Sequence, residues 1–118
     1  MIKIFQYPAC SSCKKALEFL RDNGIPFEAV DISLSPPSEQ ELVEMIERQG
    51  GIKPLFNSSG KRYREGGYSE RIPTMSREDA VRELARDGML VKRPFVLSPK
   101  HALLGFNPDH WEALRPVG

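Results

Sequence analysis

The chain has 118 residues, which is within the size range of a single domain. Its 17 basic and 16 acidic residues give a formal net charge of +1, so overall charge offers no argument for binding nucleic acid or a membrane surface. The apolar runs are too short to span a bilayer and the N-terminus lacks the features of a signal peptide, so we expect a cytoplasmic protein.

The start of the chain predicts a strand, a helix and a second strand. The apolar residues of Ile2–Tyr7 indicate a short buried strand that ends at Pro8. A helix is expected to begin near Ser11 and to end at "DNG", with Gly24 as its C-cap. The segment "IPFEAVDI" indicates the second strand. A βαβ unit of this kind places its two strands parallel.

The middle of the chain is predicted to be helical. Ser38 and Glu41 form a capping box for a helix that stops at "QGG". The segment "IKPLFNSSGKRYREGGYSERIP" is less regular and is expected to hold one short helix and loops. Another capped helix is expected from Ser76 to Gly88.

The end of the chain predicts a hairpin and a short helix. Two apolar segments, Phe95–Leu97 and Ala102–Phe106, flank a four-residue loop, "SPKH". Asn107 is the expected N-cap of the last helix and Pro108 its first residue. The order β-α-β, helices, β-β-α predicts a single α/β domain over residues 1–118 with a thioredoxin-like mixed four-stranded sheet. A helical subdomain is inserted over approximately residues 37–90.

Cys10 and Cys13 are the only cysteines, and they lie where the first strand turns into the first helix. The N–H groups at a helix N-terminus stabilise a thiolate, and Lys14 and Lys15 add positive charge. On this interpretation Cys10 is a nucleophile, and Cys13 attacks the mixed disulfide formed on it. One helical turn separates the two residues, so a reversible internal disulfide is expected.

Two other interpretations of the cysteine pair remain open. A closed zinc site needs two further ligands, but the only histidines, His101 and His110, are nine residues apart and are more simply read as surface residues. The pair could also be two inert cysteines at a helix start. The C-x-x-C spacing within a βαβ unit favours the redox interpretation.

Pro94, in "KRPFV", precedes the third strand. Thioredoxin-like folds place a cis proline there, beside the cysteines, where the backbone can pair with an extended thiol substrate. A trans proline that merely starts a strand is an equally good interpretation of these residues alone.

The sequence resembles the arsenate reductase-like (ArsC/Spx) family of the thioredoxin superfamily over essentially its whole length. The resemblance rests on "YPACSSCKKAL", "GIPFEAVDI", "PPSEQEL", "LFNSSGKRYRE", "LVKRPFVL" and "LLGFNPDHWEAL". It implies the thioredoxin-like core with a helical insertion, and it favours a cis Pro94.

Only some of the site residues of arsenate reductases have a match in this sequence. The resemblance implies that Cys10 is the nucleophile and that Arg93 is one of three arginines that hold the oxyanion, with glutathione and glutaredoxin as reductants. A second arginine is replaced within "LFNSSG" by Asn57, Ser58 and Ser59, and the third is absent from "LLGFNP". We therefore expect weak or no reduction of arsenate.

The presence of a second cysteine at Cys13 is a feature in which this sequence resembles the Spx-type transcriptional regulators rather than the arsenate reductases. Those regulators use a C-x-x-C as an oxidation switch and bind the RNA polymerase alpha subunit, and "GFN" is also similar to that branch. Gly51 falls near a glycine that they use at the polymerase contact, although a glycine after a helix is commonly a C-cap.

Our leading interpretation is a cytosolic thiol–disulfide oxidoreductase. Cys10 is the nucleophile, Cys13 the resolving thiol, Arg93 an anion anchor and Pro94 part of the substrate groove. We expect a monomer without a bound cofactor or metal and without direct contact to nucleic acid. Its partner is a thiol reductant, either glutathione with glutaredoxin or thioredoxin. The alternatives are an Spx-type regulator that binds the polymerase alpha subunit and, third, an arsenate reductase.

Overall fold

The computed structural model describes residues 1–115. The chain divides into two units. Met1–Asp31 and the segment from Arg93 onward form the first, which we call the sheet unit. Ile32–Lys92 form the second, the helical unit. Within the described residues, no helix has the length and apolar character needed to cross a bilayer.

The sheet unit contains a four-stranded mixed sheet. Its strands are β1 (Ile2–Gln6), β2 (Phe27–Asp31), β3 (Phe95–Leu97) and β4 (Ala102–Leu104), in the order β2-β1-β3-β4. β1 and β2 are parallel, as expected for strands joined by a helical crossover. β3 is antiparallel to both β1 and β4. The predicted thioredoxin-like sheet and its hairpin are thereby confirmed.

Helices cover one face of this sheet. α1 (Ser11–Asp22) and α6 (Pro108–Trp111) pack their apolar side chains against it. Ile4 on β1 and Val96 on β3 are register partners on that face, and both are fully buried. Trp111 is 1% exposed, and its indole Nε1 donates to the carbonyl of Gly105 at 3.1 Å. This apolar layer packs α1, through Ala16 and Leu20, against β1 and β3.

α1 is capped one residue earlier than predicted. Asn23, not Gly24, occupies the C-cap, and its side-chain amide donates to the carbonyl of Phe19 at 2.8 Å. Gly24 follows with a φ of +64°, a backbone conformation that glycine adopts readily. The predicted cap was therefore wrong by one position: Asn23 caps the helix, and Gly24 turns the chain immediately after it.

The two longer helices of the helical unit begin as predicted. α2 (Glu39–Gln49) has the Ser38–Glu41 capping box and ends at Gly50. The helix expected from Ser76 to Gly88 instead ends at Arg86. Gly88 begins a 3-10 turn there and packs so closely on the backbone of Ile32 that a side chain would not fit.

The segment between these helices is more ordered than the sequence predicted. Two short helices lie there, α3 (Lys61–Glu65) and α4 (Tyr68–Arg71), between 3-10 turns at Lys53–Leu55 and Ile72–Thr74; the helix from Arg77 to Arg86 is α5. The prediction of one short helix was wrong, since Gly66 and Gly67 split the helical pattern and Gly67, at a φ of +65°, starts a new helix.

Candidate active site

Cys10 lies at the junction of β1 and α1. A turn after the strand is closed by the amide of Cys10, which donates to the carbonyl of Tyr7 at 3.0 Å. Cys10 is the N-cap of α1, and its Sγ accepts a hydrogen bond from the amide of Cys13 at 3.3 Å. The sulfur thus takes the position that a serine or aspartate oxygen holds at most helix starts. The predicted placement of Cys10 at a helix N-terminus is confirmed.

The thiol of Cys10 has surroundings that favour its ionised form. Its Sγ lies 3.2 Å from the hydroxyl of Ser12, and the residue is partly exposed. Partial burial pushes the pKa of Cys10 upward, but the hydrogen bonds from Cys13 and Ser12 and the positive charge of Arg93 bring it below its ordinary value. Cys10 is therefore accessible, and its pKa is shifted in the direction that a nucleophilic cysteine needs.

Cys13 has the opposite surroundings. Its side chain is 0% exposed, and this burial, together with the hydrogen bond and negative charge of Cys10, raises its pKa to about 12. Both cysteines are free thiols in this structure. The reactive thiolate is therefore confined to Cys10 while the pair is reduced, and the internal disulfide expected on oxidation stays a prediction.

Arg93 and Pro94 precede β3 in the same unit. The Arg93–Pro94 peptide bond is cis, as the family resemblance implied, and Pro94 is buried. The guanidinium of Arg93 lies over the ring of Tyr7, 5.4 Å from its centroid. The charge of Arg93 contributes to the lowered pKa of Cys10 and opposes the burial that raises the pKa of Cys13.

Sequence reasoning missed two residues of this site. Ser12 is hydrogen-bonded to the thiol of Cys10, and Tyr7 lies against Arg93 and accepts the turn hydrogen bond. The sequence did carry a signal for Ser12: it lies two residues after Cys10, and an N-cap side chain lies close to the first turn of its helix. The Tyr7–Arg93 contact is long-range and left no signal in local sequence.

The positions where arsenate reductases have further arginines carry no cation here. Asn57 and Ser59 lie in the helical unit, where the amide of Asn57 donates to the carbonyl of Leu90 at 2.8 Å. Gly105 and Phe106 follow β4 in the sheet unit. Residues 1–115 contain no group of three or more histidine, cysteine or acidic side chains arranged to hold a metal ion.

Comparison with known proteins identifies the family. The model of the ArsC family matches residues 5–114. The uncharacterized protein YusI of Bacillus subtilis is 36% identical over 112 residues, covering 94% of this chain and 95% of YusI. The global transcriptional regulator Spx of Streptococcus agalactiae is 26% identical over 117 residues, covering 98% of this chain and 84% of Spx.

A solved structure agrees with the sequence relatives. The crystal structure of an ArsC family related protein from Bacteroides fragilis superposes with a TM-score of 0.90 at 40% identity, covering 97% of this chain and 98% of that one. From the family match over nearly the whole chain and this likeness in sequence and structure, we conclude that the protein belongs to the ArsC family.

Proposed function

We propose that this protein is a thiol–disulfide oxidoreductase that uses Cys10 and Cys13 as its redox pair. The observation that carries the proposal is the asymmetry of the pair. Cys10 is partly exposed with a lowered pKa, whereas Cys13 is buried with its pKa raised to about 12. Such a division supplies one nucleophile for the substrate and one protected thiol for the second step.

The reaction takes place in two exchange steps. The thiolate of Cys10 attacks one sulfur of a substrate disulfide, forms a mixed disulfide and releases the other half as a thiolate, which takes a proton from water. Cys13 then attacks Cys10 Sγ as its proton passes to the departing substrate sulfur, so the second half of the substrate leaves as a thiol. The substrate gains two electrons and the cysteine pair loses two. A thiol reductant, glutathione with glutaredoxin or thioredoxin, returns the pair to its reduced state.

Formation of the mixed disulfide removes part of the obstacle to the second step: burial still raises the pKa of Cys13, but the contribution of the Cys10 thiolate is lost. The negative charge of Cys10 is one cause of the high pKa of Cys13, and that charge disappears once Cys10 is bonded to substrate sulfur. Deprotonation of Cys13 is therefore easiest when its attack is needed. Arg93 is proposed to hold negative charge on the incoming substrate, with Pro94 shaping the adjacent backbone.

A trapping experiment tests this function directly. A Cys13→Ser variant, incubated with a cell lysate or with oxidised glutathione, should accumulate mixed disulfides on Cys10 that dithiothreitol releases. Wild type should accumulate few because Cys13 resolves them, and Cys10→Ser should accumulate none. Equal trapping by wild type and Cys13→Ser would contradict a resolving role for Cys13 and favour the single-cysteine, arsenate-type mechanism.

Similarity to Spx supports a second candidate function. A redox-switched regulator would bind the RNA polymerase alpha subunit and perform no turnover. The test measures binding of the intact protein to purified alpha subunit before and after oxidation. A parallel assay measures whether the protein catalyses disulfide exchange with glutathione. Binding that changes on oxidation, without turnover, would favour this candidate over the oxidoreductase.

Arsenate reduction is the third candidate. Only Arg93 remains of the arginines that the resemblance implies, so we expect little turnover of arsenate with glutathione and glutaredoxin. A turnover assay with arsenate, glutathione and glutaredoxin tests this, with an arsenate reductase that has all three arginines as the reference. Turnover comparable to the reference would reverse this ranking.

A further inference from the structure

We propose that Ser12 is a thiolate-stabilising residue: its hydroxyl donates a hydrogen bond to Cys10 Sγ and holds that sulfur in its reactive, ionised form. This inference rests on the proposed function, since it assigns Ser12 a part in the exchange at Cys10. It deepens that function because the two exchange steps use only Cys10 and Cys13, whereas Ser12 acts through Cys10 as a positioning residue.

The geometry brings two donors to one sulfur. The Oγ of Ser12 lies 3.2 Å from Cys10 Sγ, and the amide of Cys13 lies 3.3 Å from the same atom. A hydroxyl can donate or accept, so Ser12 can accept from the protonated thiol and donate to the thiolate. The backbone amide can only donate. Ionisation therefore reorients the hydroxyl toward the sulfur and adds a charge-assisted hydrogen bond to the one from the backbone.

The position of Ser12 in the fold fixes this contact. Ser12 is the second residue of α1, and its side chain is half-buried, whereas Ser11 at the first position is exposed. The backbone hydrogen bond from Cys13 places the N-cap sulfur over the first turn, within reach of the Ser12 hydroxyl. Because Ser11 has the same hydroxyl at the same helix terminus, it is a matched control for substitutions at Ser12.

The hydrogen bond has different strength in the two redox states. A thiolate is a charged acceptor, while a disulfide sulfur is neutral and a weak acceptor, so Ser12 stabilises the reduced pair more than the oxidised pair. Removal of the hydroxyl should therefore have two linked effects. The pKa of Cys10 should rise, and the equilibrium with glutathione should shift toward the internal disulfide.

The test measures the rate of Cys10 alkylation by iodoacetamide against pH, in the reduced full-length protein, with the modified peptide identified by mass. Ser12→Ala should react about tenfold more slowly near pH 6, with its pH midpoint moved upward and its plateau rate at high pH little changed. Ser12→Thr should restore most of the wild-type midpoint, since it keeps the hydroxyl. Ser11→Ala should have the wild-type profile.

A merely structural role for Ser12 predicts a different result. It would change the plateau rate or the thermal unfolding temperature without moving the pH midpoint. An unmoved midpoint in Ser12→Ala, or equal movement in Ser11→Ala, would overturn the proposal. Alkylation does not require turnover, so a moved midpoint with no catalysed exchange would reject the proposed function while leaving the Ser12–Cys10 hydrogen bond supported.

Discussion

The two units of the chain use their polar side chains differently. In the sheet unit, the polar contacts of Ser12 and Arg93 act on the thiol of Cys10. In the helical unit, polar contacts join separate helices: Arg77 on α5 pairs with Glu47 on α2 at 3.5 Å. The first arrangement tunes a reactive atom and the second supports packing. The comparison suggests that chemistry and stability can be altered independently.

Two arginine–tyrosine pairs sharpen this difference. Arg71 lies 4.4 Å from the ring centroid of Tyr68, and both side chains bind Glu83, Arg71 at 2.7 Å and Tyr68 at 3.0 Å. Arg93 lies over Tyr7 in a similar way, but its charge contributes to the lowered pKa of Cys10. An arginine stacked on a tyrosine thus belongs to a hydrogen-bond network between helices in the helical unit, and lies beside a reactive thiol in the sheet unit.

The largest effect should come from the nucleophile. Cys10→Ser should reduce catalysed disulfide exchange by about a thousandfold or more, because a serine hydroxyl is not ionised at neutral pH, while thermal stability should change little. Tyr68→Phe in the helical unit is the contrasting variant and should keep wild-type exchange. A loss of less than about tenfold in Cys10→Ser would contradict the assignment of Cys10.

The next effect tests the core of the sheet unit. Trp111→Ala should lower the free energy of unfolding by about 3–5 kcal/mol, because it removes a ring packed against Phe19 and Phe106 and a donor to Gly105. Leu114, only partly buried against the same core, is the control, and Leu114→Ala should cost less. Urea unfolding measures both. Equal losses would show that the indole is not the main packing element.

Cys13 should make the reduced protein sensitive to alkaline pH. Its pKa is about 12 in the folded protein, against an ordinary value of 9.0, so above pH 9 the unfolded chain loses a proton that the folded chain retains. Stability is thus fully present below pH 9 and falls between pH 9 and about 12, by at most about 4 kcal/mol. Denaturant unfolding of reduced wild type and Cys13→Ala over this range isolates the effect. Parallel pH profiles would contradict it.

A smaller loss is expected at the network of the helical unit. Tyr68→Phe removes the hydroxyl that donates to Glu83, and should cost about 1 kcal/mol because Arg71 still pairs with that carboxylate. Tyr63 stacks on Tyr68 at 6.1 Å, and Tyr63→Phe should be nearly neutral. Thermal unfolding compares the two variants. A neutral Tyr68→Phe would mean that the hydrogen bond to Glu83 contributes nothing net.

Local patterns predicted the sheet unit well. The apolar residues of β1 and β2, and the loop "SPKH" between β3 and β4, predicted the four strands and their positions along the chain. The spacing of Cys10 and Cys13 placed both at the start of α1. Each of these features depends on neighbours in sequence, so single-sequence reasoning can reach it.

Long-range contacts account for what was missed. Nothing near Tyr7 in sequence shows that Arg93 will lie over its ring. The two short helices α3 and α4 are each below the length at which a helix forms alone, so their stability comes from packing and from contacts such as Tyr68–Glu83. The sequence predicted that helix N–H groups stabilise the Cys10 thiolate and that Lys14 and Lys15 add positive charge, whereas Arg93 is the charged group among the causes of its lowered pKa.

The smallest expected effect is that of those two lysines. Lys14 and Lys15 are both exposed, so solvent and salt screen their charges at the sulfur of Cys10. Replacing both by glutamine should still raise the pKa of Cys10 and favour the internal disulfide, but the alkylation rate near pH 6 should fall less than about threefold. The effect should disappear in about 1 M salt, whereas the effect of Ser12→Ala, a direct hydrogen bond, should persist. A lysine effect that exceeds that of Ser12→Ala, or that survives high salt, would mean that long-range charge controls this thiolate more than the contacts made at the sulfur.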